Sequence, residues 1–146
     1  MVTREEDLER IIFAAHALAR VAALETGNDT PAAQWRTLSI LLELGRPARL
    51  GEIAMMSRVT QPGMTRLIGA MEDAGLVTRE SDLADSRVTL VSVTEAGTAA
   101  LDGWRRQLGQ ALAPRFADLD ESEWHALQTT AQLLALKTGV LAEVAR

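Results

Sequence analysis

One predicted helix, between about residues 60 and 74, separates residues that can pack from residues that can bind. Its apolar side is formed by Met64, Leu67, Ile68 and Met71, which recur at helical spacing and are expected to be core residues. Its other side presents Gln61, Gly63, Thr65, Arg66 and Gly69. Amide, hydroxyl and guanidinium groups are suited to hydrogen bonds with base edges or phosphates. The pattern predicts a helix that is buried on one side and available for polar recognition on the other.

The start of this helix has a favourable cap and a basic neighbour. Thr60 can cap it, Pro62 is tolerated in its first turn, and Gly75 closes its far end. The free N–H groups and positive dipole end at Thr60 offer a site to a phosphate. Arg58 stands in the preceding turn, where many helix-turn-helix proteins have glycine. Either this turn is longer, or Arg58 points to phosphates from a less comfortable backbone.

The neighbouring segments complete a winged helix. A short helical pattern at residues 51–57 precedes the polar helix by two or three residues, which indicates a helix-turn-helix. Two β-branched runs follow, at 76–80 and 88–93, and the polar tip SDLADSR lies between them. Within this predicted hairpin, Asp85 would orient Arg87 by a charge-assisted hydrogen bond. The alternative is an ordinary surface ion pair, which contributes little to stability.

Longer helices are predicted on both sides of this segment, at about 5–26, 32–44, 94–113 and 120–145. Thr30 followed by Pro31 predicts the start of the second helix, and Pro114 ends or kinks the third. The last helix is apolar around too much of its circumference to pack on one side only, so we expect it to meet a partner helix. The residues expected in a dimer interface are Leu8, Ile11, Ile12, Trp124, Leu127, Leu134 and Leu141.

Residues 53–97 resemble the MarR family of bacterial transcriptional regulators. The resemblance lies in QPGMTRLI at 61–68, AGLVTR at 74–79, the Asp-x-Arg of Asp85 and Arg87, and VTEAG at 93–97. The helix that begins near Gln34 and Trp35 is also similar. The resemblance implies one mainly α-helical domain over residues 1–146 with a small β-hairpin wing. It also implies a winged-helix DNA-binding lobe at 31–97 and dimerisation helices at 1–27 and 98–146.

In function, the resemblance implies a sequence-specific DNA-binding transcriptional regulator, most often a repressor. A homodimer would place two recognition helices in successive major grooves of a pseudo-palindromic operator, with half-sites about ten base pairs apart. The implied DNA-binding residues are Arg58, Thr60, Gln61, Gly63, Thr65, Arg66, Asp85 and Arg87. Ser86 stands where the family often has another arginine. The loss of one basic wing residue should weaken binding and lower its salt slope by roughly one unit.

The family commonly binds small aromatic or phenolic effectors in a cleft between the dimerisation helices and the winged helix. The residues that could line such a cleft here are His16, Arg20, Trp35 and Leu38. Alternatively, Trp35 belongs to the core and Arg20 is solvated. Any effector must favour the DNA-incompetent arrangement, because only differential affinity can shift the equilibrium.

The net charge of the chain disfavours nucleic-acid binding, but the charge is unevenly distributed along the sequence. The 146 residues contain 15 basic and 20 acidic side chains, for a net charge of −5, which by itself argues against nucleic acid. Between residues 46 and 90, however, six arginines balance six carboxylates, so the excess acidity lies in the flanking segments. The acidic balance keeps open an alternative function, a winged-helix protein-interaction module without DNA binding.

Other function classes have little support. There is no cysteine, and the two histidines, His16 and His125, lack a metal-ligand spacing, so no metal site is expected. No nucleophile motif or phosphate-binding glycine loop indicates an enzyme or a cofactor. No apolar run is long enough to span a membrane, and the acidic, polar N-terminus does not resemble a signal segment. The sequence therefore predicts a cytoplasmic protein that does not bind membranes.

Overall fold

The computed structural model describes residues 1–140, and it confirms a mainly α-helical chain with a small antiparallel sheet. Within these residues the helices are α1 (Arg4–Thr26), α2 (Ala32–Leu44), α3 (Leu50–Ser57), α4 (Gln61–Asp73), α5 (Glu95–Leu112) and α6 (Glu121–Thr138). The strands are β1 (Ala48–Arg49), β2 (Val77–Ser81) and β3 (Thr89–Val93), and a 3₁₀ turn (Ala113–Phe116) follows α5. None of the described helices is long and apolar enough to cross a membrane.

The chain divides into two compact units. The first contains residues 1–29 and 103–119, so it joins α1 to the second part of α5 and the 3₁₀ turn. In this unit, Nε of Arg115 donates a 2.7 Å hydrogen bond to the Glu25 carboxylate, which ties the 3₁₀ turn to the end of α1. The second unit contains residues 30–102 together with α6, and it includes the winged helix.

The winged helix is built on a core to which each of its helices and the sheet contribute. Its fully buried apolar members are Leu38 and Leu41 of α2, Ile53 of α3, Met64, Ile68 and Met71 of α4, and Ala48, Val77 and Val91 of the sheet. Burial of one such large side chain contributes about 1.5–3 kcal/mol. Because α4 supplies three of them from one side, its opposite, polar side is left outside the core.

The sheet has the order β1-β3-β2, and both pairings are antiparallel. Val77 pairs with Val93 and Ser81 with Thr89, which confirms the predicted hairpin. The short strand β1 was not predicted, because two residues cannot show the alternation that identifies a strand. Since β1 pairs with β3 and runs directly into α3, it positions the start of α3 beside the wing.

Most predicted helix boundaries agree with the structure, but the predicted N-cap of α2 is wrong. Thr60 and Asp120 cap α4 and α6 as predicted, and α5 ends just before Pro114. At the start of α2, however, the N-cap is Pro31 rather than Thr30, and no side chain caps the first turn. The reason is the extended ψ of 135° at Pro31, which keeps that residue outside the helix.

Candidate nucleic-acid interface

The start of α4 is held by a tight cap. Thr60 Oγ1 accepts the N–H of Gly63 at 3.2 Å, and a Cβ at position 63 would lie only 3.0 Å from that oxygen, so glycine fits the cap. Pro62 has no N–H. Among the first three residues of α4, Gln61 is therefore the one whose backbone N–H is not used by the cap. The predicted phosphate site at this helix end is reduced to that single amide.

The polar side of α4 is exposed, as its sequence pattern predicts. Met64 and Ile68 are fully buried, whereas Gln61, Thr65 and Arg66 face outward. The hydroxyl of Thr65 donates a 3.0 Å hydrogen bond to the carbonyl of Gln61, which orients it along the helix. Three different hydrogen-bonding side chains thus share one accessible surface of a regular helix.

Arg58 adopts a left-handed backbone in the turn between α3 and α4. Its φ is 56° and its ψ is 41°, and it is the one non-glycine residue with positive φ in the described chain. Its N–H donates to the carbonyl of Met55 at 3.2 Å and closes α3. The second of the two sequence interpretations is therefore correct for the backbone: the arginine occupies a conformation that glycine adopts more easily. Its side chain is exposed.

The tip of the wing is fixed by local hydrogen bonds. The N–H of Asp82 donates to the carbonyl of Val88 at 2.9 Å, and the N–H of Val88 donates to the carbonyl of Asp85 at 3.0 Å. The backbone N–H and Nε of Arg87 both donate to Asp85 Oδ1 at 3.1 Å, so the predicted pair is present. The hydrogen bond from the Arg87 side chain lowers the pKa of Asp85. The Arg87 side chain remains 89% exposed.

An open groove of about 500 Å³ lies between α4 and the wing, and we call it the α4–wing groove. Its lining residues are Arg49, Leu50, Gly51, Glu52, Gln61, Thr65, Arg87, Val88 and Thr89. The fold therefore brings Gln61 and Thr65 of α4 together with Arg87 of the wing. It also adds Arg49, for which the sequence pattern indicates no role. The signal that could have identified Arg49 is its position directly before the first helix of the helix-turn-helix.

The six arginines of residues 46–90 divide into two equal groups. Three form ion pairs with carboxylates: Arg46 with Glu52, Arg79 with Glu72, and Arg87 with Asp85. In each pair, the arginine side-chain hydrogen bond is the main cause of a lowered carboxyl pKa. Arg49, Arg58 and Arg66 are exposed and form no ion pair within the described part of the chain. The segment is neutral by count, but its accessible positive charge is concentrated around α3 and α4.

The residues predicted to line an effector cleft have different environments. Trp35 and Leu38 belong to the core of the winged helix, with exposures of 8% and 0%. His16 and Arg20 are exposed on α1. The described residues contain no group of three or more His, Asp or Glu side chains arranged for a metal ion.

The residues predicted for a dimer interface lie on α1 and α6, apart from Leu141, which is outside the described residues. On α1, Leu8 and Ile12 are exposed and Ile11 is half-buried. On α6, Trp124 and Leu127 are exposed and Leu134 is half-buried. Both helices thus present large apolar side chains at their surfaces.

The winged helix is similar in sequence to known proteins. Residues 31–89 match the model of the MarR family. An uncharacterised HTH-type transcriptional regulator from Mycobacterium bovis is 39% identical over 84 residues, which are 58% of this chain and 59% of that protein. The chain therefore matches less than two thirds of the length of this relative.

Solved structures agree on the fold. The YusO protein of Bacillus subtilis superposes with a TM-score of 0.67 and 22% identity, over 91% of this chain and 98% of that one. A mutant MarR from E. coli superposes with a TM-score of 0.71 and 19% identity, over 92% of this chain and 97% of that one. Together, the family match at residues 31–89 and the helix-turn-helix followed by a wing show that this part of the chain is similar to the winged helix-turn-helix of the MarR family.

Proposed function

We propose that this protein is a sequence-specific, DNA-binding transcriptional regulator that acts as a homodimer. The observation that carries the proposal is the α4–wing groove, where Gln61 and Thr65 lie beside the exposed Arg87. The 13 residues of α4 form a helix about 20 Å long, and its polar side suits a major groove about 12 Å wide. Arg87 would enter the adjacent minor groove, whose negative potential attracts arginine. The transcriptional regulators named among the relatives support this function.

Two of the exposed side chains are suited to contact DNA bases, and two are suited to contact DNA phosphates. Gln61 carries a side-chain amide that can pair with an adenine edge. The Thr65 hydroxyl donates its hydrogen to the Gln61 carbonyl, so its oxygen is available as an acceptor. Arg58 and Arg66 form no ion pair in the described chain, so each can neutralise a phosphate. Phosphate contacts set the register of the helix on the duplex, and base contacts set sequence preference.

A homodimer is supported by the apolar surfaces of α1 and α6. The exposed large apolar side chains are Leu8, Ile12 and Phe13 on α1, and Trp124, Leu127, Leu133 and Leu136 on α6. Apolar surface of this kind on a helix commonly marks an interface. A two-fold dimer would bind a pseudo-palindromic operator with half-sites about ten base pairs apart.

The proposal extends to repression that is relieved by a small aromatic or phenolic effector. On α1, His16 and Arg20 are exposed and lie one helical turn apart, so they could bind a phenolate together. Salicylate is a suitable probe. It should release DNA from the wild type and release less from Arg20→Ala, because an effector acts only through its differential affinity for the DNA-incompetent state.

Fluorescence anisotropy tests the DNA-binding proposal directly. The purified protein is titrated onto DNA that flanks its own gene and onto a scrambled duplex, at low and physiological salt. Specific binding that weakens with salt and in Arg87→Ala supports a regulator. Arg10→Ala, which removes the same charge from α1, is the control and should retain wild-type affinity. If selection from random duplexes also yields no preferred DNA, and the protein binds a protein partner independently of salt, the interaction-module function replaces this proposal.

A further inference from the structure

Both ends of α3 carry an arginine where another residue would be more stable. Arg49 is the N-cap, and no side-chain hydrogen bond caps the first turn. Serine, threonine, aspartate and asparagine are preferred there, and a cation is unfavourable beside the positive end of the helix dipole. Arg58 is the C-cap in a left-handed conformation that favours glycine. A helix of eight residues thus retains a stability cost at each end.

The cost at Arg49 could be relieved by a single substitution. Glu52 occupies the third position of α3. The pKa of its carboxyl is lowered mainly by the hydrogen bond from the Arg46 side chain. A glutamate at this position is the residue that a capping box requires three positions after the N-cap. The other required group, a serine or threonine hydroxyl at position 49, is replaced by a guanidinium.

The Arg49 side chain lies where DNA is proposed to bind. It lines the α4–wing groove with Gln61, Thr65 and Arg87, and it forms no ion pair in the part of the chain that the structure describes. The one carboxylate on the groove wall belongs to Glu52, and Arg46 engages both of its oxygens, at 2.7 and 3.2 Å. The charge of Arg49 also helps to lower the pKa of Glu52 and of Asp85. Because these carboxylates already accept hydrogen bonds from Arg46 and Arg87, the guanidinium of Arg49 remains available to a polyanion.

We propose that Arg49 is a further DNA-contacting residue, which binds a backbone phosphate at one end of α3 while Arg58 binds another phosphate at the opposite end. This inference rests on the proposed DNA-binding function and deepens it. At about 1.5 Å per residue, α3 separates the two arginines by about 13 Å, close to the major-groove width of about 12 Å. The pair would bracket the groove that α4 enters and set its register through phosphate contacts.

The test uses the full-length protein and a short duplex that the wild type has selected from random DNA. Arg49→Thr should weaken binding by roughly tenfold or more, because it removes a charge-assisted hydrogen bond to a phosphate. It should also lower the salt slope by about one unit for each phosphate that Arg49 neutralises, which is about two per homodimer. At the same time its urea midpoint should rise, because a threonine hydroxyl at the N-cap can accept an N–H of the first turn and the cation beside the positive helix end is removed. Arg49→Lys keeps the charge and should retain most of the affinity.

Opposite changes in stability and affinity distinguish DNA contact from a structural role. If Arg49→Thr loses both stability and affinity, the residue supports the fold and the inference is overturned. If Arg49→Thr binds with wild-type affinity and salt slope while Arg87→Ala is weakened, the inference fails and the proposed function stands. If the wild type selects no duplex at all, the proposed function itself fails. Arg10→Thr, the charge-matched control on α1, should leave binding unchanged.

Discussion

Gly97 of α5 packs directly against the backbone carbonyl of Leu76, at the turn between α4 and β2. A Cβ at position 97 would overlap the Leu76 oxygen and lie 3.1 Å from its carbonyl carbon. The same oxygen accepts the N–H of Thr94 at 3.0 Å, and Thr94 Oγ1 accepts the N–H of Gly97 at 3.0 Å. The start of α5 is thereby joined to the base of the wing by backbone contacts that leave no room for a side chain.

Gly97→Ala should destabilise the protein by about 1–3 kcal/mol, because the new methyl group meets backbone rather than a flexible side chain. Urea denaturation at neutral pH measures the change. Gly109→Ala, in the same helix but with open space around its Cα, is the matched control and should increase stability by up to about 1 kcal/mol. Equal effects of the two substitutions would show that the close approach at Gly97 does not exist.

Arg58→Gly should raise the free energy of unfolding by about 0.5–1 kcal/mol, because glycine adopts positive φ without the steric cost that arginine has. It should also weaken DNA binding and lower the salt slope by about one unit for each phosphate that Arg58 neutralises. Arg58→Ala separates the two effects, since it removes the charge but keeps the left-handed strain. A variant Arg58→Gly that becomes less stable would contradict the assigned backbone strain.

The pair of Glu72 and Arg79 should make stability depend on acidic pH. The side chain of Arg79, and then its backbone amide, hold the pKa of Glu72 below its ordinary value of 4.5. A carboxyl with a lowered pKa in the folded state stabilises the protein above the unfolded pKa, and this contribution is lost as pH falls through the folded value. The pair therefore contributes at neutral pH and ceases to contribute in acid.

Glu72→Gln tests this dependence. Its unfolding free energy should be lower than that of the wild type at neutral pH, and the difference should shrink as pH falls below about 4.5. Arg79→Gln removes the pair from the other side and should show the same trend. A difference that stayed constant across this range would mean that the glutamate acts through packing alone.

Leu127→Asp and Leu134→Asp on α6 should convert the proposed dimer into monomers, because a carboxylate buried at an apolar interface loses its hydration. Leu127 is 41% exposed in the single chain, so its substitution should spare the monomer fold. Light scattering after gel filtration gives the mass, and circular dichroism checks the helix content. Gln132→Asp on the same helix is the polar control. Dimers of wild-type mass from both leucine variants would remove α6 from the interface.

Local features of the chain were sufficient to predict the helices, the wing hairpin and the polar side of α4. Amphipathic spacing and caps such as Thr60 and Asp120 act between residues three or four positions apart, so they can be recognised in the sequence. The close pair of Asp85 and Arg87 is local for the same reason. The resemblance to a winged-helix family was visible because these local signals occur in a fixed order.

Only the tertiary structure decided which charges remain available and why certain small residues are required. The sequence shows six arginines and six carboxylates between residues 46 and 90, but pairing depends on distances that folding sets. The two-residue strand β1 carries no periodic signal, yet it brings Arg49 to the α4–wing groove. Gly97 is needed because Leu76, 21 positions earlier in the sequence, approaches its Cα. Such approaches between distant segments depend on packing geometry, which a local pattern of residue types does not contain.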